Sequence, residues 1–158
     1  MEQNEKIKSK YQGEKDYEFA KEYQKLGKKI TDVVPHNLLG VKVDDPEYWG
    51  LREVLNIVQV RFLNKLKQRK WYSLEDMIKM NKEFEPTKVQ QLLDELSVIG
   101  FIEYDYGDNY DFEAPRDDKP KVKRYRMSYF VPGSAELMNS SVDRIAKNPA
   151  VANFFERM

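Results

Sequence analysis

The stretch KVQQLLDELSVIGFIEYDYG, residues 88–107, decides the fold. Its first half sets Val89, Leu92, Leu93, Leu96 and Ile99 at helical spacing, which makes one apolar face of an α-helix. Gly100 closes that helix, because glycine takes up the left-handed conformation of a helix end at little cost. Directly after it the period drops to two. In FIEYDY, Ile102, Tyr104 and Tyr106 fall on one face of a strand, and Glu103 and Asp105 on the other.

Working outward, KRYRMSY at 123–129 alternates in the same way, with Tyr125, Met127 and Tyr129 on one face and Arg124 and Arg126 on the other. Antiparallel pairing of Tyr104 with Tyr125 brings the apolar sets together. It also sets Glu103 opposite Arg126 and Asp105 opposite Arg124. Each such pair stabilises by roughly 0.2–1 kcal/mol. A slip of one residue would lose the apolar match and the charge match together, so one register is expected. The intervening GDNYDFEAPRDDKPK is too long for a tight hairpin turn.

Upstream, Pro86 suits the first position of the 88–99 helix. Ser73 with Asp76 three residues on is a capping-box signal for a short helix to about Asn81, with Leu74, Met77 and Ile78 inward. Trp71 and Tyr72 suit a short strand. Asp45 before Pro46 marks the start of another helix. Leu51, Val54, Leu55, Val58, Phe62 and Leu66 form its stripe, widened by Ile57, Val60 and Leu63. The pattern reads as one long helix ending in a basic cluster: Arg61, Lys65, Lys67, Arg69 and Lys70.

Residues 1–14 are polar and aperiodic and read as a frayed tail. A helix from Lys15 carries Phe19, Tyr23 and Leu26, and Gly27 is placed to end it. Residues 28–45 read as an extended connector that lays Val33, Val34, Leu38, Leu39, Val41 and Val43 on a larger body. Beyond the second strand, Ser134, Ser141 and Asn148–Pro149 each open a short helical segment, the last broken off abruptly at Met158 as if cut from a longer chain.

The expected fold is α+β, mainly α. Helix, short strand, helix, helix and a two-stranded antiparallel β-ribbon over about 46–130 is the order of a winged helix-turn-helix. Residues 1–45 supply a tail, helix and connector. Residues 131–158 form a helical segment leading to a further domain not contained in this chain.

Composition narrows the chemistry. The chain of 158 residues has 27 cations against 27 carboxylates, so no global charge draws it to phosphate or anionic lipid. It has no cysteine, which excludes a disulfide, a thiolate nucleophile and a cysteine-ligated metal within it. No apolar run approaches the ~20 residues of a membrane span, and the N-terminus lacks the apolar core of a signal peptide. A cytoplasmic location is expected.

The order of elements invites a nucleic-acid reading. The residues off the apolar stripe of the third helix are Thr87, Lys88, Gln90, Gln91, Asp94 and Glu95, and either glutamine suits adenine. The DNA-contact set is Thr87, Lys88, Gln91, Lys119 and Lys121. The charge opposes it: the third helix carries one lysine against two acids, and residues 108–118 carry five carboxylates against Arg116. Affinity for a polyanion comes mostly from cations that displace its counterions, so an acidic ribbon tip works against it.

Catalysis finds no foothold. His36, the sole histidine, sits in the connector VVPHNLLG, no hydroxyl has an adjacent base, and no glycine-rich phosphate loop occurs. The ribbon-tip carboxylates lack a calcium-loop pattern. The four strand tyrosines suit core and sheet packing on the inward face rather than a stacking platform.

DPEYWGLREVLN at 45–56, FVPGSAELMN at 130–139 and NPAVANFFERM at 148–158 resemble the N-terminal region of FAD-dependent, pyridine-nucleotide-linked iron–sulfur oxidoreductases of anaerobic bacteria, flavoproteins related to the small subunit of glutamate synthase. The resemblance implies a parent protein that holds FAD, NAD(P) and an iron–sulfur cluster beyond Met158, and no catalytic, cofactor or metal residue in this chain. It implies a non-catalytic accessory domain that docks on downstream redox domains of the same polypeptide or on a partner subunit. Asp108, Tyr110, Asp111, Phe112 and Glu113 are the candidate protein contacts, as apolar anchors within an acidic tip. The alternative is a winged-helix transcription regulator that uses the DNA-contact set.

Overall fold

The computed structural model describes residues 9–15, 17–31, 39–107 and 122–128, with residue 146. Five helices and a three-stranded antiparallel sheet occur among them: α1 (Ala20–Ile30), α2 (Pro46–Val54), α3 (Ile57–Lys65), β1 (Tyr72–Ser73), α4 (Leu74–Met80), α5 (Pro86–Val98), β2 (Ile102–Asp105) and β3 (Arg124–Met127). The class is α+β, mainly helical.

The junction at 88–107 folds as its pattern dictates. Pro86 opens α5, which buries Val89, Leu92, Leu93 and Leu96. Gly100 then turns the chain at φ 84°. The register is the expected one: Tyr104 pairs with Tyr125, Glu103 with Arg126 and Asp105 with Arg124. β1 joins the other edge through Tyr72 opposite Tyr125, so β3 is the central strand in the order β1-β3-β2. Ser73 Oγ accepts from Asp76 N at 3.0 Å, and the Asp76 carboxylate accepts from Ser73 N at 3.2 Å, the reciprocal cap expected for α4.

Several expectations fail in the first half of the chain; α1 begins at Ala20 rather than Lys15 and runs through Ile30, into the stretch read as connector. The helix after Pro46 is two helices. Leu55 is extended at ψ 137°, and Asn56 begins α3 with a capping box of its own: Asn56 Oδ1 accepts from Gln59 N at 3.0 Å and Asn56 N donates to Gln59 Oε1 at 3.1 Å. The break lets Leu55 and Leu51 both be buried, but Val58, expected on the stripe, is exposed.

Gly27 does not end α1; it lies inside the helix and is buried. A Cβ built there would stand 2.6 Å from the Glu47 carbonyl oxygen at the start of α2. The glycine therefore lets two backbones approach. Around this crossing Tyr23, Leu26 and Ile30 of α1 share one core with Tyr48, Leu51, Phe62, Leu63, Met77 and Leu93.

Residues 9–14 are not frayed. Ser9 is buried and its hydroxyl donates to Glu53 Oε1 at 2.7 Å, and Gly13 N donates to Val43 O at 3.1 Å. The strap closes on Arg52, whose guanidinium lies 4.3 Å from the Tyr11 ring centre and 3.4 Å from that of Tyr17, and 3.3 Å from Glu14 Oε2. A guanidinium between aromatic faces and beside a carboxylate is an anchor that polarity patterns do not reveal. In the connector Val41 is buried as expected, whereas Leu39 is 99% exposed; Val33, Val34, Leu38 and His36 lie outside the described residues.

Candidate interaction surface

Sequence reasoning singles out the outer face of α5 and the ribbon tip; of these the described residues include α5, with the polar face of the sheet beside the tip. On α5 the side chains bind one another. Lys88 Nζ donates to Gln91 Oε1 at 3.1 Å, Gln91 Nε2 to Glu95 Oε1 at 2.7 Å, and Gln59 Nε2 of α3 to Glu95 Oε2 at 3.3 Å. Gln90 Nε2 donates to Asp94 Oδ1 at 2.9 Å. Thr87 and Gln91 are exposed. The face thus offers one ammonium group already leaning on an amide, with the amide in turn held by a carboxylate.

On the sheet, the charged residues form a ladder. Arg124 grips Asp105 with two bonds, Nε to Oδ1 at 2.6 Å and an Nη to Oδ2 at 3.1 Å. Arg126 Nε donates to Glu103 Oε2 at 2.8 Å. The Arg124 guanidinium beside Asp105 holds that carboxyl below the usual aspartate range, helped by the Gly107 N–H. Both guanidiniums also lie over Trp71, at 4.8 and 4.4 Å from its ring. The sequence pattern assigns Trp71 only to a short strand. Its place follows from register: with Tyr72 opposite Tyr125, residue 71 falls beside Arg126, on the face of the two arginines.

The inward face follows expectation in part: Tyr106 is half-buried and Tyr129 lies outside the described residues. Ile102, Tyr125 and Met127 are buried, but Tyr104 is 50% exposed. Tyr104 lies on β2, an edge strand in the order β1-β3-β2, and two residues beyond the buried Ile102. It meets Tyr106 edge-on at 6.4 Å and carries Lys123 Nζ 4.0 Å from its centre.

Asp108, Tyr110, Asp111, Phe112, Glu113, Lys119 and Lys121 lie outside the described residues, as do the helical segments expected beyond residue 130. Among the described residues no group of three or more histidine, aspartate or glutamate side chains is placed to hold a metal ion, and no helix is long and apolar enough to cross a membrane.

No protein-family model, no curated protein and no solved structure matches the chain.

Proposed function

We propose that this chain is a winged-helix scaffold used for protein contact: a non-catalytic accessory domain in the N-terminal part of a cytoplasmic, flavin-dependent, NAD(P)-linked oxidoreductase. The strand order β1-β3-β2, with β1 before α4 and α5 and the ribbon after them, supports the scaffold. The flavoprotein parent rests on the resemblance of residues 45–56, 130–139 and 148–158.

One observation carries the contact role. The described cations where such a scaffold would meet DNA are engaged by the protein's own groups: Lys88 by Gln91, Arg124 by Asp105 and Arg126 by Glu103. Phosphate would have to displace carboxylates already in place and would approach a helix with more acids than bases. Fixed, mutually bonded polar groups on one face of the sheet and a half-exposed tyrosine on the other instead suit a protein partner, since tyrosine and arginine supply much of the affinity at such interfaces.

Fluorescence anisotropy with a mixed-sequence DNA duplex at low salt tests this. The expected result is no micromolar binding. Micromolar binding with a steep salt dependence, weakened by Lys88→Ala or Gln91→Ala, would establish the regulator instead. The parent assignment is tested separately by flavin absorbance of the full gene product, which is yellow-brown if the assignment holds.

A further inference from the structure

Two segments far apart in sequence bring positive charge to one place. Lys25, Lys28 and Lys29 share a face of α1, being three and four residues apart. The turn between α3 and β1 carries Lys67, Arg69 and Lys70, all exposed. The two are joined directly: Lys29 Nζ donates to the carbonyls of Asn64, at 2.9 Å, and of Leu66, and Gln68 Nε2 donates to the Lys29 carbonyl. Burial, with a smaller part from the nearby Lys25, pushes the Lys29 ammonium below the usual lysine range. Two acids on or near these elements are engaged by other cations, Glu22 of α1 by Arg61 and Glu83 by Lys65. Asp76 caps Ser73, with Lys70 within electrostatic reach, and Asp32, outside the described residues, follows α1. Among the described residues Lys25, Lys28, Lys67 and Lys70 have no ion pair. Arg69 is the one described non-glycine residue with positive φ, at 60°. That conformation favours glycine, and strain of this kind gathers where a side chain has a task.

We infer that the face formed by Lys25, Lys28, Lys67, Arg69 and Lys70 docks a short carboxylate-rich segment of a protein partner. This rests on the reading of the domain as a protein-contact module and gives that module a partner chemistry. Size separates a peptide from other polyanions. Duplex DNA carries a charge every ~1.7 Å along its axis and a bilayer is charged throughout, so either would extend past this face. A chain with 27 cations and 27 carboxylates has no net charge to hold a polyanion that extends past this face. A short acidic segment meets only the basic face.

The test titrates the full chain with a fluorescein-labelled decaglutamate peptide, a labelled mixed-sequence duplex, and phosphatidylserine vesicles, at low and at physiological salt. The inference expects peptide binding that salt weakens. In the variant Lys25→Ala/Lys28→Ala/Lys67→Ala/Lys70→Ala, binding should weaken about tenfold with the melting temperature unchanged. It is overturned if the peptide does not bind, if the variant binds it equally well, or if duplex or vesicles bind more tightly than peptide through the same four lysines. Duplex binding that depends on Lys88 and Gln91 would instead overturn the protein-contact reading itself, so the two failures are told apart.

Discussion

Replacing Gly27 with alanine adds one methyl group to the middle of α1. In an open helix that change stabilises by about 1 kcal/mol, because alanine loses less backbone freedom on folding than glycine. Here the new carbon would stand 2.6 Å from Glu47 O, 3.3 Å from Glu47 C and 3.4 Å from Val41 Cγ1. The closest of these is backbone in the first turn of a buried helix, so α1 itself must retreat. Overpacking of this kind costs typically ~1–3 kcal/mol. Set against the propensity gain, the net expectation is a loss of about 1 kcal/mol, or ~2–4 °C in melting temperature for a chain of this length. The retreat also pulls on the Tyr23 hydroxyl bond to Leu55 O, 2.7 Å, and the Lys29 ammonium bond to Asn64 O, 2.9 Å. Urea denaturation followed by far-UV circular dichroism measures the loss, with Lys21→Ala on the exposed face of α1 as a control expected within about 0.5 kcal/mol of the parent. Gly27→Val should lose more than Gly27→Ala. A gain of stability in Gly27→Ala would show that α1 and α2 do not cross at this glycine and would refute the packing described above.

Two further outcomes follow from the capping and charge geometry. Asn56→Ala removes the acceptor for Gln59 N at the start of α3 and should lower stability by ~1 kcal/mol in the same assay, whereas a continuous helix from Pro46 would gain from the alanine. Asp105 has its folded-state pKa lowered by Arg124, so its contribution is fully present above the ordinary aspartate value of about 3.9 and is lost as pH falls through the lowered folded value. Wild type and Asp105→Asn should therefore differ in urea midpoint at neutral pH and converge in strong acid; a difference unchanged by acid would remove the ion pair from the account.

The features that the linear pattern carried are those fixed by neighbours in sequence or by one pairing. α5 is legible because five apolar residues repeat at helical spacing between a proline and a glycine. The β2–β3 register is legible because the apolar and charged alternations agree on one alignment, and any slip would break both. The Ser73 cap is legible because its partner is three residues away. The Asn56–Gln59 cap has the same spacing and was hidden only by the apolar stripe that runs across it, since Leu51, Leu55 and Phe62 suit a continuous helix as well as a broken one.

Of the surfaces, α5 and the charge ladder on the sheet could be drawn from sequence, and Trp71 belongs to that ladder by the same register. The basic face could not. Lys25 and Lys67 are separated by the whole of α2 and α3, and only the docking of α1 against the end of α3 brings their segments together. Gly27 looked like a helix end because a sequence records its conformational freedom but not the Glu47 carbonyl that needs the room. Tyr104 looked buried because alternation assigns a face but not whether anything packs over it at that point of an edge strand. Sequence by itself determined periods, caps and register, which depend on local sterics and pairwise complementarity. Tertiary structure decided close approach, edge exposure and the gathering of charge, because each depends on which distant backbone occupies the adjoining space.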